Sequence, residues 1–200
     1  MRKIKKLLSL LVTLCVTGIV AAAAFYLYLR TQALPAMHMP QTSQIYDVNG
    51  RLLEAFHAGQ NRSIVPLDRI SPYVVQATVA IEDRRFYRHF GIDPRGLARA
   101  VVANLSAMDK VQGASTITQQ LARNLYLSLE KTYERKIREA IYSLQLEMKY
   151  SKDEILEMYL NQIYFGHSTY GIQAAAQLFF GKDAADLTLA ESAQIGRAHV

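Results

Sequence analysis

The chain has 200 residues, half of them apolar and 20% charged, with 10 Gly and 5 Pro. This excludes a disordered, collagenous or low-complexity chain and allows one domain with a sizeable core. The single cysteine, Cys15, excludes an intramolecular disulfide framework and any zinc finger or ribbon. The net charge of +6 is concentrated at Arg2, Lys3, Lys5 and Lys6; beyond them 19 basic residues face 17 acidic ones, so charge does not point to a nucleic-acid partner.

Leu7–Leu29 carries no charge. As a helix it spans roughly 35 Å, enough to cross a bilayer core of about 30 Å. Four basic residues precede it and only Arg30 follows closely, so the positive-inside rule keeps the N-terminus in the cytoplasm and exports residues 30–200. A cleaved signal peptide is the alternative, with Ala22-Ala23-Ala24 as its small-residue site, but the apolar run exceeds the usual h-region. A lipoprotein reading of Cys15 is weaker, because Leu14 suits lipidation poorly.

Residues 30–43 read as a linker. Asn49-Gly50 between Ile45–Val48 and Arg51–Phe56 predicts a β-hairpin. Ser71-Pro72 opens a helix with Val74, Ala77, Thr78 and Ile81 on one face, and Asp93-Pro94 opens another with the stripe Leu97, Val101, Leu105, Met108. Ser115 caps a third, with Ile117, Leu121 and Leu125. Thr132 opens a long helix with the face Ile137, Ile141, Leu144, Met148. Ser151 with Glu154 and Thr188 with Glu191 form capping boxes; Leu156, Tyr159, Leu160 and Ile163 follow the first.

Three clusters carry chemistry. Glu82–His89 sets two acids beside three arginines and a histidine, a pattern that also fits a solvated helix end. Gly113–Asn124 runs from a glycine loop into a helix start crowded with hydroxyls and amides, where free N–H groups favour an anion. Lys131, Arg135, Lys136 and Arg138 surround Glu139; alone they read as a basic surface, and with the second cluster they offer partners for a diphosphate. Ser128-Leu129-Glu130-Lys131 imitates the Ser-x-x-Lys of penicillin-reactive enzymes, but no Ser-Asp-Asn or Lys-Thr-Gly follows. Asn61-Arg62-Ser63 is a glycosylation sequon of low specificity, and the five histidines lack metal-ligand spacing.

Taken in order, Ala80–Gly91 (AIEDRRFYRHFG), Gly113–Asn124 (GASTITQQLARN), Arg135–Glu139 (RKIRE), Ser151–Gly166 (SKDEILEMYLNQIYFG), Tyr170–Lys182 (YGIQAAAQLFFGK) and Leu187–Ala193 (LTLAESA) resemble the peptidoglycan glycosyltransferase domain of family 51. That domain occurs in class A penicillin-binding proteins and in monofunctional transglycosylases. Ile45–Ile70 resembles the bifunctional proteins more; the monofunctional enzyme is the alternative. The resemblance implies a mainly α, lysozyme-like domain over residues 44–194, preceded by a basic flank (1–6), one transmembrane helix (7–29), a linker (30–43) and a small β-hairpin. The domain is expected to be cut short at its C-terminal end. Residues 195–200 can be back-translated to a sequencing adapter and are expected to be non-native.

The implied reaction polymerises lipid II into β-1,4-linked glycan with inversion and release of undecaprenyl diphosphate. Glu82 and Glu139 are the implied catalytic residues. Asp83, Phe86, His89, Thr116, Gln120, Arg123, Arg135 and Lys136 are the implied substrate-binding residues. Arg123 stands where the family commonly has Lys, and Phe90 where proline is frequent. No cofactor is required by this chemistry; a divalent cation, Mg2+ or Mn2+, near Glu139 is an added option. The implied partners are lipid II, the growing strand, the bilayer and other cell-wall synthesis proteins, with no nucleic acid. The implied location is the cytoplasmic membrane, single-pass, with the catalytic domain outside. A lysozyme-like glycan hydrolase, a silent lipid II-binding scaffold and a nucleic-acid binder are the rivals. The basic third cluster argues against hydrolysis of uncharged links, which leaves no diphosphate to hold.

Overall fold

The computed structural model describes residues 2–36, 43–46, 48, 52–56, 61–109, 113–127 and 132–197, in two units, Met1–Pro35 and Ala36–Val200. In the first unit α1 (Arg2–Thr31) extends beyond the expected span at both ends, taking in the basic flank and the start of the linker. Its stretch Ile4–Thr31 is long and apolar enough to cross a membrane, with a mean hydropathy of 2.4. The hydroxyls of Thr13 and Thr17 donate to the carbonyls four residues back, at 2.9 and 2.8 Å, so these polar groups are satisfied within the helix.

The second unit is mainly α, as expected. Its entry is an antiparallel pair, β1 (Ser43–Tyr46) and β2 (Leu52–Phe56), matching Ser43 to Phe56 and Ile45 to Glu54. The Asn49-Gly50 turn lies outside the described residues. A short parallel pair, β3 (Asn61–Arg62) with β4 (Thr169–Tyr170), was not anticipated; two residues are too few to leave a periodic signal. Five of the helices carry the rest: α2 (Pro72–Glu82), α3 (Pro94–Ala107), α4 (Ile117–Tyr126), α5 (Tyr133–Lys149) and α6 (Lys152–Gln162). α7 (Ile172–Phe180) and α8 (Leu189–Arg197) complete the chain.

The core is built on α6. Ile155, Leu156, Tyr159 and Leu160 have no exposed surface, and α4 packs on them through Ile117 and Leu121. Both capping boxes flagged in the sequence form: Glu154 accepts from Ser151 N–H at 2.7 Å, and Glu191 from Thr188 N–H at 2.9 Å. Asn161 and Glu157 strap the chain before α2 to the same helix. Asn161 Oδ1 accepts from Val65 N–H at 3.0 Å, and Glu157 Oε2 from Leu67 N–H at 2.7 Å.

Four expectations need correction. Ser71 precedes α2 as expected, but its hydroxyl donates to Leu187 O (2.8 Å) rather than capping, because it is buried against the segment leading to α8. Thr116, not Ser115, caps α4, in a box with Gln119 that fixes both groups at 3.1 Å. The stripe of α3 faces outward: Leu97, Val101, Leu105 and Met108 are all at least 47% exposed, while Gly96 and Ala100 form its buried side. On α5 the expected apolar face is only partly inward: Ile137 is exposed, Ile141, Leu144 and Met148 are half-buried, and Glu139, Ser143, Gln145 and Leu146 are buried. α8 runs on through Arg197, with Ile195 buried and Gly196 beside Ala77 and Ile81 of α2.

Gly171 starts α7 with φ +82°, and a Cβ there would lie 2.9 Å from Asn161 O. Gly171→Ala is expected to cost about 2 kcal/mol through strain and contact, read as a lower urea midpoint; an unchanged midpoint would contradict this packing. Lys182 and the Thr188 N–H hold the Glu191 carboxyl at about 2, below its ordinary 4.5. Their stabilising effect is complete above about pH 4.5 and is lost as pH falls toward 2. Over that window the urea midpoint of Glu191→Gln is expected to fall less than that of the parent chain.

Candidate active site

The two acids of the first cluster sit where α2 ends, with Asp83 as its C-cap. Carboxylates are electrostatically disfavoured at the negative end of a helix, and neighbouring groups compensate. Asp83 is buried; its oxygens lie 2.8 and 3.0 Å from His89 Nε2, and Oδ2 accepts the Ile117 N–H at 3.2 Å. Ile117 is the first residue of α4, so Asp83 also meets the positive end of that helix. One turn on, Gln120 Nε2 donates to Glu82 Oε2 at 2.6 Å. From α6, the Tyr159 hydroxyl donates to Gln120 Oε1 at 3.3 Å. Burial, and then the charge of Glu82, push the Tyr159 phenol well above its ordinary range, so it keeps its proton.

Glu82, Asp83, Thr116 and Gln120 line one open cavity of about 500 Å3, together with Arg84, Asp93, Arg99 and Ser115. Thr116 is nearly buried and donates to Gly91 O at 2.6 Å, closing the floor. Asp93 caps α3 and accepts from Arg85 Nη1 at 2.9 Å. Gly96 gives it room, because a Cβ there would lie 2.6 Å from Asp93 Oδ2 and the carboxylate would have to shift.

The third cluster reaches the same cavity by its edge. Glu139 is 1% exposed, and one oxygen accepts from Arg135 Nη1. The other accepts from Lys136 Nζ at 2.6 Å. That ammonium also donates to Ser115 Oγ at 3.1 Å, and Ser115 belongs to the cavity wall. The buried carboxylate therefore pins two cations, and Lys136, half exposed, is presented beside the cavity. A donor set whose two oxygens are both committed to cations does not fit a divalent ion at Glu139. Among the described residues no group of three or more His, Cys, Asp or Glu gathers as a metal site.

The predicted residues thus fall into three groups. Glu82, Asp83, Thr116 and Gln120 meet at the cavity, and Arg135, Lys136 and Glu139 form the adjoining cluster. Lys131 of that cluster, and the Ser128–Lys131 imitation, lie outside the described residues. Phe86 and His89 do not reach the surface for contact. Phe86 has no exposed area, and the His89 side chain is 3% exposed behind Asp83, with Nδ1 buried and lacking a protein partner. The Phe86 ring receives Lys152 Nζ at 4.4 Å and packs edge-on to His89, so both hold Asp83 from behind. Arg123 lies on α4 close enough to Tyr159 to oppose the rise in its pKa, but is not a lining residue. Reading the sequence missed Arg99 and the polar role of Tyr159. The first sits on an exposed helix face, and the second reads as core because its ring is core.

A family model described as Transglycosylase matches residues 49–198. Penicillin-binding protein 2D of Bacillus subtilis is 51% identical over 88% of this chain and 26% of its own length. Penicillin-binding protein 1A of Aquifex aeolicus is 50% identical over 77% of the chain and 21% of its own. Penicillin-binding protein 1A of Haemophilus influenzae is 45% identical over 98% of the chain and 22% of its own. The chain spans about a quarter of the length of these relatives.

Replacing Glu139 by Gln leaves Arg135 and Lys136 without their buried counter-charge. The expected loss is roughly 2 kcal/mol of unfolding free energy, measured by urea titration at neutral pH. A variant as stable as the parent would show that this carboxylate does not organise the cluster.

Proposed function

Because the chain belongs to the transglycosylase family, we propose that it polymerises lipid II, with Glu82 as general base and the Arg135–Lys136 pair as the diphosphate clamp. One observation carries this reading. Ser115, in the wall of the cavity that holds Glu82, accepts the Lys136 ammonium that Glu139 pins in place. A base and a cationic clamp beside one cleft is what transfer between diphosphate-linked sugars requires.

A sugar hydroxyl is a weak nucleophile, and a positioned base contributes roughly 10²–10⁴-fold. Glu82 takes the proton of the acceptor 4-hydroxyl as its oxygen attacks the anomeric carbon of the donor. The bond from that carbon to the diphosphate oxygen breaks, and the diphosphate leaves with the electron pair, stabilised by Arg135 and Lys136. Attack opposite the leaving group inverts the centre. Asp83, held by His89 and the α4 N-terminus, fixes the end of α2 so that Glu82 is presented to the cavity. Holding both sugars in one cleft removes part of the entropic barrier.

The lipid part of such a substrate explains two apolar features. α1 anchors the chain in the membrane, with its basic end inside and residues 30–200 outside. The exposed apolar stripe of α3 adjoins Gly96 and Arg99 of the cavity wall and suits the lipid part of the substrate.

Glu82→Gln is expected to abolish polymer formation from lipid II while the melting temperature stays near that of the parent. Near-normal glycan synthesis by this variant would overturn the assignment. Muropeptides released from purified peptidoglycan by the parent chain would favour a hydrolase instead.

A further inference from the structure

Tyr159 lies in the centre of the core on α6, with no exposed surface. A phenylalanine would fill that volume without bringing a hydroxyl that must be satisfied. The hydroxyl points to Gln120 Oε1, at 3.3 Å, and the same amide turns its Nε2 to Glu82 Oε2, at 2.6 Å. An amide can be rotated to exchange its two ends, and only one orientation offers a donor to a carboxylate. In the other, the carbonyl oxygen would face the negative charge of Glu82. The phenol can donate to Oε1 or accept from Nε2, so the Glu82 carboxylate sets the orientation and the buried phenol holds the amide in it. Burial, and then the charge of Glu82, push the phenol's pKa up, so it stays protonated.

We propose that Tyr159 is a positioning residue for Glu82, acting through Gln120: the buried phenol fixes the amide, and the amide fixes and stabilises the ionised carboxylate. This rests on the reading of Glu82 as general base, and it adds a requirement that the reading itself does not contain. The core residue then links α6 to the C-terminal end of α2 by way of α4.

Other charges surround the relay, and the test must separate them. Asp83 and Arg84 follow Glu82 in sequence, Asp93 and Arg99 line the same cavity, and Arg123 of α4 acts on Tyr159. On α8, which packs against α2, Glu191 is committed to Lys182 and Thr188. Tyr159→Phe alters none of these charges. It removes one oxygen atom and leaves the ring packing in place.

The experiment measures polymerisation of lipid II by the full chain from pH 5 to 9, for the parent, Tyr159→Phe, Gln120→Leu and the double variant. Tyr159→Phe is expected to melt close to the parent and to lower kcat roughly tenfold with KM little changed. It should also move the acidic limb of the profile to higher pH, because a less supported carboxylate binds its proton more readily. Gln120→Leu should shift the same limb at least as far, and the double variant should be no worse than Gln120→Leu alone. A 13C-NMR titration of the Glu82 side chain reads the same link without turnover. An acidic limb and a Glu82 titration that stay in place in Tyr159→Phe would overturn the proposal, as would losses that simply add. An active Glu82→Gln chain would instead overturn the base assignment. An inactive Glu82→Gln chain beside an unmoved limb in Tyr159→Phe removes only the relay.

Discussion

Everything at the site depends on how the C-terminal end of α2 meets the N-terminal end of α4. Two carboxylates at a helix C-terminus are electrostatically costly, and here the cost is offset by specific groups. Asp83 takes the first N–H of α4 and the His89 ring, while Glu82 takes the Gln120 amide one turn later. The two helix ends are thus joined by side chain to backbone and side chain to side chain. Glu82 is left beside open space, while Asp83 is closed in behind it.

The cationic side of the cleft follows a related logic with the charges exchanged. Glu139 is buried on α5, and its two oxygens are saturated by Arg135 and Lys136 from the preceding turn. Removing a charge from water is expensive unless it is paired, and this pairing leaves Lys136 half exposed at the cavity edge. Glu139, at 1% exposure, holds both cations in place. In the proposed reaction Glu82 then serves from one wall of the cleft and the two cations from its edge.

Much of this was legible in the sequence. The capping residues at Thr132, Ser151 and Thr188 mark helix starts to within a residue, since each hydroxyl accepts an N–H of the first turn. The spacing Leu156, Tyr159, Leu160 and Ile163 marked the buried face of α6. What failed was orientation. The α3 stripe shows the limit, because periodicity reveals an apolar face without saying what covers it. The buried side of α5 is partly polar, with Glu139 paired to Arg135 and Lys136 and Ser143 bonded to Ala140 O on the same helix, and apolar spacing alone does not reveal such a side. The resemblance implies substrate roles for Phe86 and His89, whose side chains are buried here, His89 against Asp83. Tyr159 was read as packing, and packing patterns do not show where a hydroxyl points.

The central claim is that acid and cations serve one bound substrate. A crystal structure of the chain with a diphosphate-linked disaccharide analogue tests it most directly. The account predicts diphosphate oxygens within roughly 3 Å of Lys136 Nζ and the Arg135 guanidinium, with a sugar hydroxyl facing Glu82. A diphosphate held elsewhere, with Lys136 still on Ser115 and no sugar near Glu82, would contradict it.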